Sequence, residues 1–281
     1  MLTIFATAKP FVVHIGVIQR NALASWARLS PACQIILFGQ GDGIAEAARE
    51  VGAEHVPTVE CSESGSPLLD AVFGRAEQMA RHRFMCYANA DIILLNDLLA
   101  AAQRASEFRD RFLMVGECWN LDVPATLPVG EAGWEDDLRT RVRREGRQRG
   151  RSALDFFVFA RGTYSRWLPM ALGRGGFDNW LLWEARAQGV AVVDASTAVT
   201  VIHQNHGYGH LLGGFSEAHM GTEARRNCEL AGGMKRMYTL DDATHRLMAG
   251  CVRPSWGRFF RLAHRKTRLK YRLGKLVHHG N

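Results

Sequence analysis

The chain has 281 residues, of which 47% are hydrophobic, 22% charged and 9% aromatic, a balance that supports a packed core and excludes a disordered, collagen-like or disulfide-stapled chain. The net charge is +7, yet nine Lys and Arg with no acid fall between Arg253 and Lys275, which leaves −2 for the rest. The basicity therefore belongs to a C-terminal tail, and no run of about 18 apolar residues is present to cross a bilayer.

The N-terminal MLTIFATAKPF starts directly on a strand-like alternation, without the basic, apolar and small-residue regions of a signal peptide, so a cytoplasmic location is expected. Strands are expected at 2–6, 34–39, 54–59 and 83–88, alternating with helices near 15–29, 43–52 and 67–82; this is the pattern of βαβ units in a mostly parallel sheet. Ser66 is the candidate N-cap of the third helix and Pro67 its first residue, where a missing N–H costs least. A helix at 97–108 and a strand at 112–117 follow. The densely charged WEDDLRTRVRREGRQRG within 119–152 then reads as a solvated helix or a mobile flap. Strands at 154–160, 190–195 and 198–203, a helix at 178–188 closed by Gly189, and a last helix at 222–231 complete the pattern. The six cysteines, at 33, 61, 86, 118, 228 and 251, include no CxxC pair and read as reduced structural thiols. The fold class is α/β, one domain of about 250 residues followed by the basic tail.

In open α/β sheets ligands bind at the carboxyl ends of strands, and several polar residues fall there. Asn89-Ala90-Asp91 follows the strand RFMCYA; two polar side chains two apart in an extended turn point the same way, and either address a divalent cation with its diphosphate or close an Asx turn. His203 follows another apolar strand, with His206 and His210 in the glycine-rich loop after it. These imidazoles suit Mn²⁺ or Zn²⁺, and all three together would make a three-histidine zinc site. Asp178 opens a helix after Gly173, Gly175 and Gly176, as an N-cap or as a general base for an acceptor hydroxyl. Asp155 opens the strand LDFFVFA and lines the same cleft or faces solvent. Lys9 after the first strand is placed to reach a phosphate, and Asp42 in GQGDG after the second to accept from a base or ribose. GQGDG is not a dinucleotide fingerprint, because the GxGxxG order is absent.

With these residues in hand, the chain resembles the bacterial nucleotide-diphospho-sugar transferases, the GT-A-fold glycosyltransferases. The likeness rests on TIFATAKPF, QRNALASW, ILFGQGDG, SPLLDAVFGRAEQMA, YANADIIL, LDFFVFARG, GFDNWLLWEARAQG and VIHQNHGY, spread from residue 1 to about 245. The resemblance implies a Rossmann-like domain over 1–250, with a nucleotide sugar, a UDP-sugar first, held by 1–110 and an acceptor by 111–250. The DxD motif of that fold is matched by Asn89 and Asp91, with asparagine at its first position. Asp91 and His203 are then the implied ligands of Mn²⁺ or Mg²⁺, with His206 as a substitute. Lys9, Asp42, Asn89 and Asp91 fall to the donor, Asp155, Asn179 and His206 to the acceptor. Asp178 matches the base of inverting members. The reading is a transfer of sugar to a hydroxyl of a glycan or lipid-linked acceptor, with a sugar-phosphate nucleotidyltransferase and a non-catalytic binding module as alternatives.

The tail, 251–281, mixes Trp256, Phe259, Phe260, Leu262, Leu269, Tyr271, Leu273 and Leu276 with its cations. That composition suits a helix lying on an anionic membrane surface; a solvated helix packed on a neighbour and nucleic-acid binding are the alternatives, although the main domain shows no nucleic-acid motif.

Overall fold

A computed structural model describes residues 1–207 and 214–255. Strand and helix alternate through the first part as β1 (Leu2–Thr7), α1 (Val13–Ala27), β2 (Gln34–Phe38), α2 (Ile44–Glu50), β3 (Glu54–Val56), α3 (Leu69–Met79) and β4 (Phe84–Ala88). The chain continues through β5 (Ile92–Ile93), α4 (Asp97–Phe108), β6 (Phe112–Val115), β7 (Trp119–Leu121), α5 (Trp134–Glu145), β8 (Arg147–Gln148) and β9 (Phe156–Ala160). It closes with α6 (Phe177–Ala187), β10 (Ala191–Asp194), β11 (Ile202–Gln204), α7 (Gly214–Met220), α8 (Thr222–Ala231), β12 (His245–Met248) and β13 (Cys251–Pro254).

The central sheet has the order β13-β12-β10-β6-β9-β4-β1-β2-β3. Only β9 and β13 run against the other seven strands. The expected mostly parallel α/β sheet is therefore what forms, with the 3-2-1-4 order of a Rossmann-like half at one side. Strands β2, β4 and β9 are apolar almost throughout because both faces are covered. Along β1 the pleat sends Leu2, Ile4 and Ala6 to the layer of α1 and α4, with Leu23, Trp26 and Leu98, while Phe5 enters the opposite layer with Phe73, Phe159 and Trp180. A second sheet, β5-β11-β7-β8, lies beyond the end of β4. It is backed by α5 through a small core of Ile93, Leu121, Leu138, Val142 and Ile202.

Several boundaries differ from the sequence reading. The third helix starts at Leu69 with Leu68 as its flanking residue, not at Ser66-Pro67, because Pro67 pairs with Cys61 and Leu68 with Ala171 in isolated bridges. The strand expected at 54–59 stops at Val56, and the one expected at 198–203 shrinks to β11, in the second sheet. The charged run is a helix: α5 buries Leu138 and Val142 and ties Arg139 to Asp97 at 2.6 Å and Glu135 at 3.3 Å. Cys251–Pro254, assigned from sequence to the tail, pairs with β12 as a hairpin. The rest of the tail, from Trp256, lies outside the described residues. The six cysteines are free thiols, and no described helix is long and apolar enough to cross a membrane.

Candidate functional site

Two adjoining cavities open at the carboxyl ends of β1 and β4. The first, about 520 Å³, is lined by the loop after β1 (Thr7 to Pro10), by Gly39 and Gln40 after β2, by Pro57 to Val59 after β3, and by Asn89 to Asp91 after β4. The second, about 1130 Å³, is lined by Ser152 to Asp155, the turn Gly173 to Asn179, and residues of α7 and α8. Asn89, Arg149, Asp155, Arg174, His203 and His206 line both.

The first cavity is rigid at its base. Gln19, buried in α1, accepts from the Lys9 amide and donates to the Lys9 carbonyl, both at 2.8 Å. The Ala8 amide donates to Phe38 O and the Phe11 amide to Asp42 O, each at 2.8 Å. Burial lowers the pKa of the Lys9 ammonium; Asp91 opposes that shift and the nearby Arg174 adds to it.

At the other end stands Asp91, in a turn closed by the Ile92 amide on Asn89 O at 3.0 Å. Pairing of β11 with β5 sets His203 opposite Ile92, beside Asp91. His206 Nε2 lies 2.7 Å and His203 Nε2 3.6 Å from Asp91 Oδ2. Burial alone would push the Asp91 carboxyl up, but the imidazoles of His203 and His206 and the Lys9 ammonium outweigh it and hold the pKa down to about 2. The hydrogen bond to Asp91 raises the pKa of His206, while burial lowers that of His203.

These three residues fit a divalent cation. Their ligand atoms lie within 4.8 Å of one another, and Asp91 Oδ1 is buried with no hydrogen-bond partner among the described residues. The set is one carboxylate and two imidazoles, donors that suit a divalent metal ion. The third histidine of the zinc alternative, His210, lies outside the described residues. The two imidazoles are oriented differently. His206 Nδ1 donates to the Gly207 carbonyl at 3.0 Å and Nε2 donates to Asp91 Oδ2 at 2.7 Å, so a cation bound there would replace the Nε2 proton and take that lone pair. Arg149 Nη1 donates to His203 Nδ1 at 3.1 Å, which places the proton of neutral His203 on Nε2, the nitrogen nearer Asp91.

Asn89 is turned away from this cluster. Its Nδ2 donates to Asp155 Oδ1 at 3.0 Å and its amide to Asp155 O at 3.0 Å, tying the end of β4 to the start of β9. Asp155 is buried and also pairs with Arg149 Nε at 2.9 Å. Both residues line the cleft, Asp155 as the partner of Arg149 and Asn89 as the partner of Asp155. Asp42 is exposed and lines neither cavity; its carbonyl, by holding Phe11, shapes the Lys9 loop.

Asp178 lies in the second cavity, in the first turn of α6. The residue before that helix is Gly176, at φ +101°, so Asp178 is not the N-cap. Burial and the neighbouring Asp155 charge raise the Asp178 carboxyl to about 7, against backbone N–H groups that favour ionisation. A carboxyl poised there exchanges protons readily at neutral pH. Asn179 beside it is committed to backbone, donating to Tyr238 O at 2.8 Å and Ser152 O at 3.3 Å. The outer rim carries Met220 and Met234, 63% and 75% exposed.

Sequence reading did not single out Arg149, Arg174 or Gln19. Arg149 belongs to an arginine-rich run that reads as solvated, and Gln19 sits inside an otherwise ordinary helix. The glycines around Arg174 were the available signal.

No protein-family model and no curated protein matches the chain by sequence. Solved structures show similar chain paths at low identity. S. aureus TarS matches at 9% identity and a TM-score of 0.49, over 73% of this chain but only 36% of its own. Mycobacterium tuberculosis glucosyl-3-phosphoglycerate synthase, in complex with Mg²⁺ and UDP, matches at 13% identity and a TM-score of 0.44, over 73% of this chain and 72% of its own. The Pyrobaculum calidifontis mannosyltransferase PcManGT, with GDP-Man and Mn²⁺, matches at 12% and 0.44, over 71% of this chain and 56% of its own. The function rests on the residues of the cleft rather than on these likenesses.

Proposed function

We propose that the protein is a glycosyltransferase that moves a sugar from a nucleoside-diphosphate donor, UDP-linked first, to a hydroxyl of a glycan or lipid-linked acceptor with inversion. The observation that carries this reading is the pairing of two cavities across shared walls, one ending in the Asp91 cluster with Lys9 and Arg174, the other in Asp178 with a pKa near 7. The first cavity takes the nucleotide, its phosphates toward Lys9 and Asp91; the second takes the acceptor. The proposed division of labour between residues 1–110 and 111–250 is a matter of emphasis, because Arg149, Arg174 and His203 from the second half line the first cavity.

Asp178, ionised above its pKa, accepts the proton of the acceptor hydroxyl as that oxygen attacks the anomeric carbon, and the sugar–phosphate bond breaks on the opposite face. Lys9 holds negative charge on the diphosphate, and Arg149 orients Asp155 and His203 at the junction. Asp91 and His206 are the residues that would hold Mn²⁺ or Mg²⁺, with His203 beside them, and a cation there offsets charge on the leaving diphosphate. Asn89 at the first DxD position does not argue for a non-catalytic module, because its amide serves Asp155. The exposed methionines at the outer rim match a lipid-linked acceptor, and an anionic membrane surface reached through 253–277 belongs to the same proposal.

The test is a thermal-shift panel of UDP, GDP, CMP and dTDP, with and without Mn²⁺, on wild type and Asp91→Ala. A Mn²⁺-dependent shift by one nucleotide that vanishes in the variant is expected. No shift with any nucleotide overturns the sugar-nucleotide reading.

A further inference from the structure

The turn that carries Asp178 is held from outside the sheet by one face of α8. Asn227, 1% exposed, accepts from the Ala171 amide at 2.8 Å and donates to Ala171 O at 3.0 Å and Gly175 O at 3.2 Å. One helical turn earlier on the same face, Glu223 accepts from Arg174 Nε at 2.8 Å, from Ser66 Oγ at 2.7 Å and from Ser62 Oγ. Ser66 lines the first cavity and Arg174 lines both. Glu223 is thus a knot joining the lip of the donor cavity, the Asp178 turn and the helix that walls the acceptor cavity.

Arg174 is only 14% exposed and Glu223 15%. Enclosing an ion pair of this kind gives little net stability, and here the carboxylate oxygens already accept from the Ser62 and Ser66 hydroxyls, so their hydrogen bonding does not depend on the arginine alone. The guanidinium spends Nε on Glu223 and one Nη1 bond on Gly173 O at 3.2 Å, and its Nη2 has no partner among the described residues. Its charge is felt at Lys9. Of the carboxylates lining the same cavity, Asp155 is taken by Arg149 and Asp91 by His206. The planar fork is therefore aimed and held, with donors left for an anion.

We propose that Arg174 binds the terminal phosphate of the donor's diphosphate, opposite Lys9, and that Glu223 with Ser62 and Ser66 is the positioning group that aims it. The inference rests on the nucleotide-sugar reading above and adds the residue that links the two cavities. Since Arg174 lies four residues before Asp178, engaging the phosphate also fixes the turn on which the base is carried.

Calorimetric titrations of UDP, UMP and inorganic pyrophosphate, each with Mn²⁺, into wild type, Arg174→Gln, Arg174→Lys, Glu223→Gln and the Arg174→Gln/Glu223→Gln double variant test it. Loss of a charge-assisted fork predicts that Arg174→Gln weakens UDP and pyrophosphate about 10- to 100-fold and UMP less than about 2-fold. Arg174→Lys keeps the charge without the fork and falls between. Glu223→Gln weakens UDP about 3- to 10-fold, and the double variant is no worse than Arg174→Gln, as expected of a residue acting through another. Equal losses for UDP and UMP, or unchanged UDP and pyrophosphate binding in Arg174→Gln, overturn the proposal and leave the donor reading standing. Pyrophosphate binding that depends on Arg174, in a protein that binds no nucleoside diphosphate, upholds the phosphate site and removes the donor reading. If wild type binds neither, both fall.

Discussion

Replacing Asp178 by asparagine should make the protein more stable and less active. Burial displaces this carboxyl from 3.8 to about 7, so the folded chain binds its proton more tightly than the unfolded chain does. The contribution is fully present below about pH 3.8 and is lost as pH rises toward 7, at about 1.4 kcal/mol per pH unit. At pH 8.5 holding the ionised carboxylate in the fold costs about 4 kcal/mol, an upper bound because the side chain is partly exposed to screening solvent. At pH 5 the unfolded carboxyl is ionised while the folded one is still protonated, and the cost is about 1.5 kcal/mol. Asparagine carries no charge at either pH, so urea unfolding of Asp178→Asn should show a gain that shrinks on going from pH 8.5 to pH 5. Sugar transfer by the variant should fall about 10²- to 10⁴-fold with donor binding retained, and wild-type transfer should rise with pH through about 7. A variant no more stable than wild type at pH 8.5, or a gain that does not shrink on acidification, would refute the reasoning.

Two further outcomes follow from the same geometry. Asn227→Ala strips three partners from the backbone of Ala171 and Gly175; denaturant unfolding should show a loss of about 2 to 4 kcal/mol, with turnover reduced as the Asp178 turn loosens. His206→Gln should lower Mn²⁺ affinity on the order of 10-fold or more, and His203→Gln by less, because the bond from Arg149 turns the His203 lone pair away from the cation. Calorimetric Mn²⁺ titration decides this, and equal losses in the two variants would count against the assigned ring orientations.

The parallel half of the sheet is legible because β1, β2 and β4 are apolar runs bounded by turn residues, and a strand covered on both faces has to look that way. The second sheet is not legible. Strands of two or three residues such as β5, β8 and β11 exist only because a distant segment lies alongside, and no local periodicity records that. The polar residues near strand ends, Asp91, Asp155, His203 and His206, could be found because topology puts ligands there, and Asp178 because it opens a helix after a run of glycines. Which of them touch each other could not. Asn89 reads as a DxD position, but its partner is 66 residues away, and Ser66 reads as a cap although its hydroxyl serves Glu223 across the cleft. Arg149 and Arg174 were hidden for a related reason: the sequence holds 35 Lys and Arg, and only packing distinguishes one directed into a cavity from one in solvent.

The grip of Gln19 on both backbone groups of Lys9 bears on how tightly an anion can be held. A loop that must be ordered by its ligand takes about 1–2 kcal/mol per residue out of the binding free energy. Residues 8–11 are already fixed through Phe38, Gln19 and Asp42, so that ordering is completed when the chain folds. The phosphate end of the cleft is then preformed, and affinity for short anions should depend on charge and fit with little contribution from loop closure on this side.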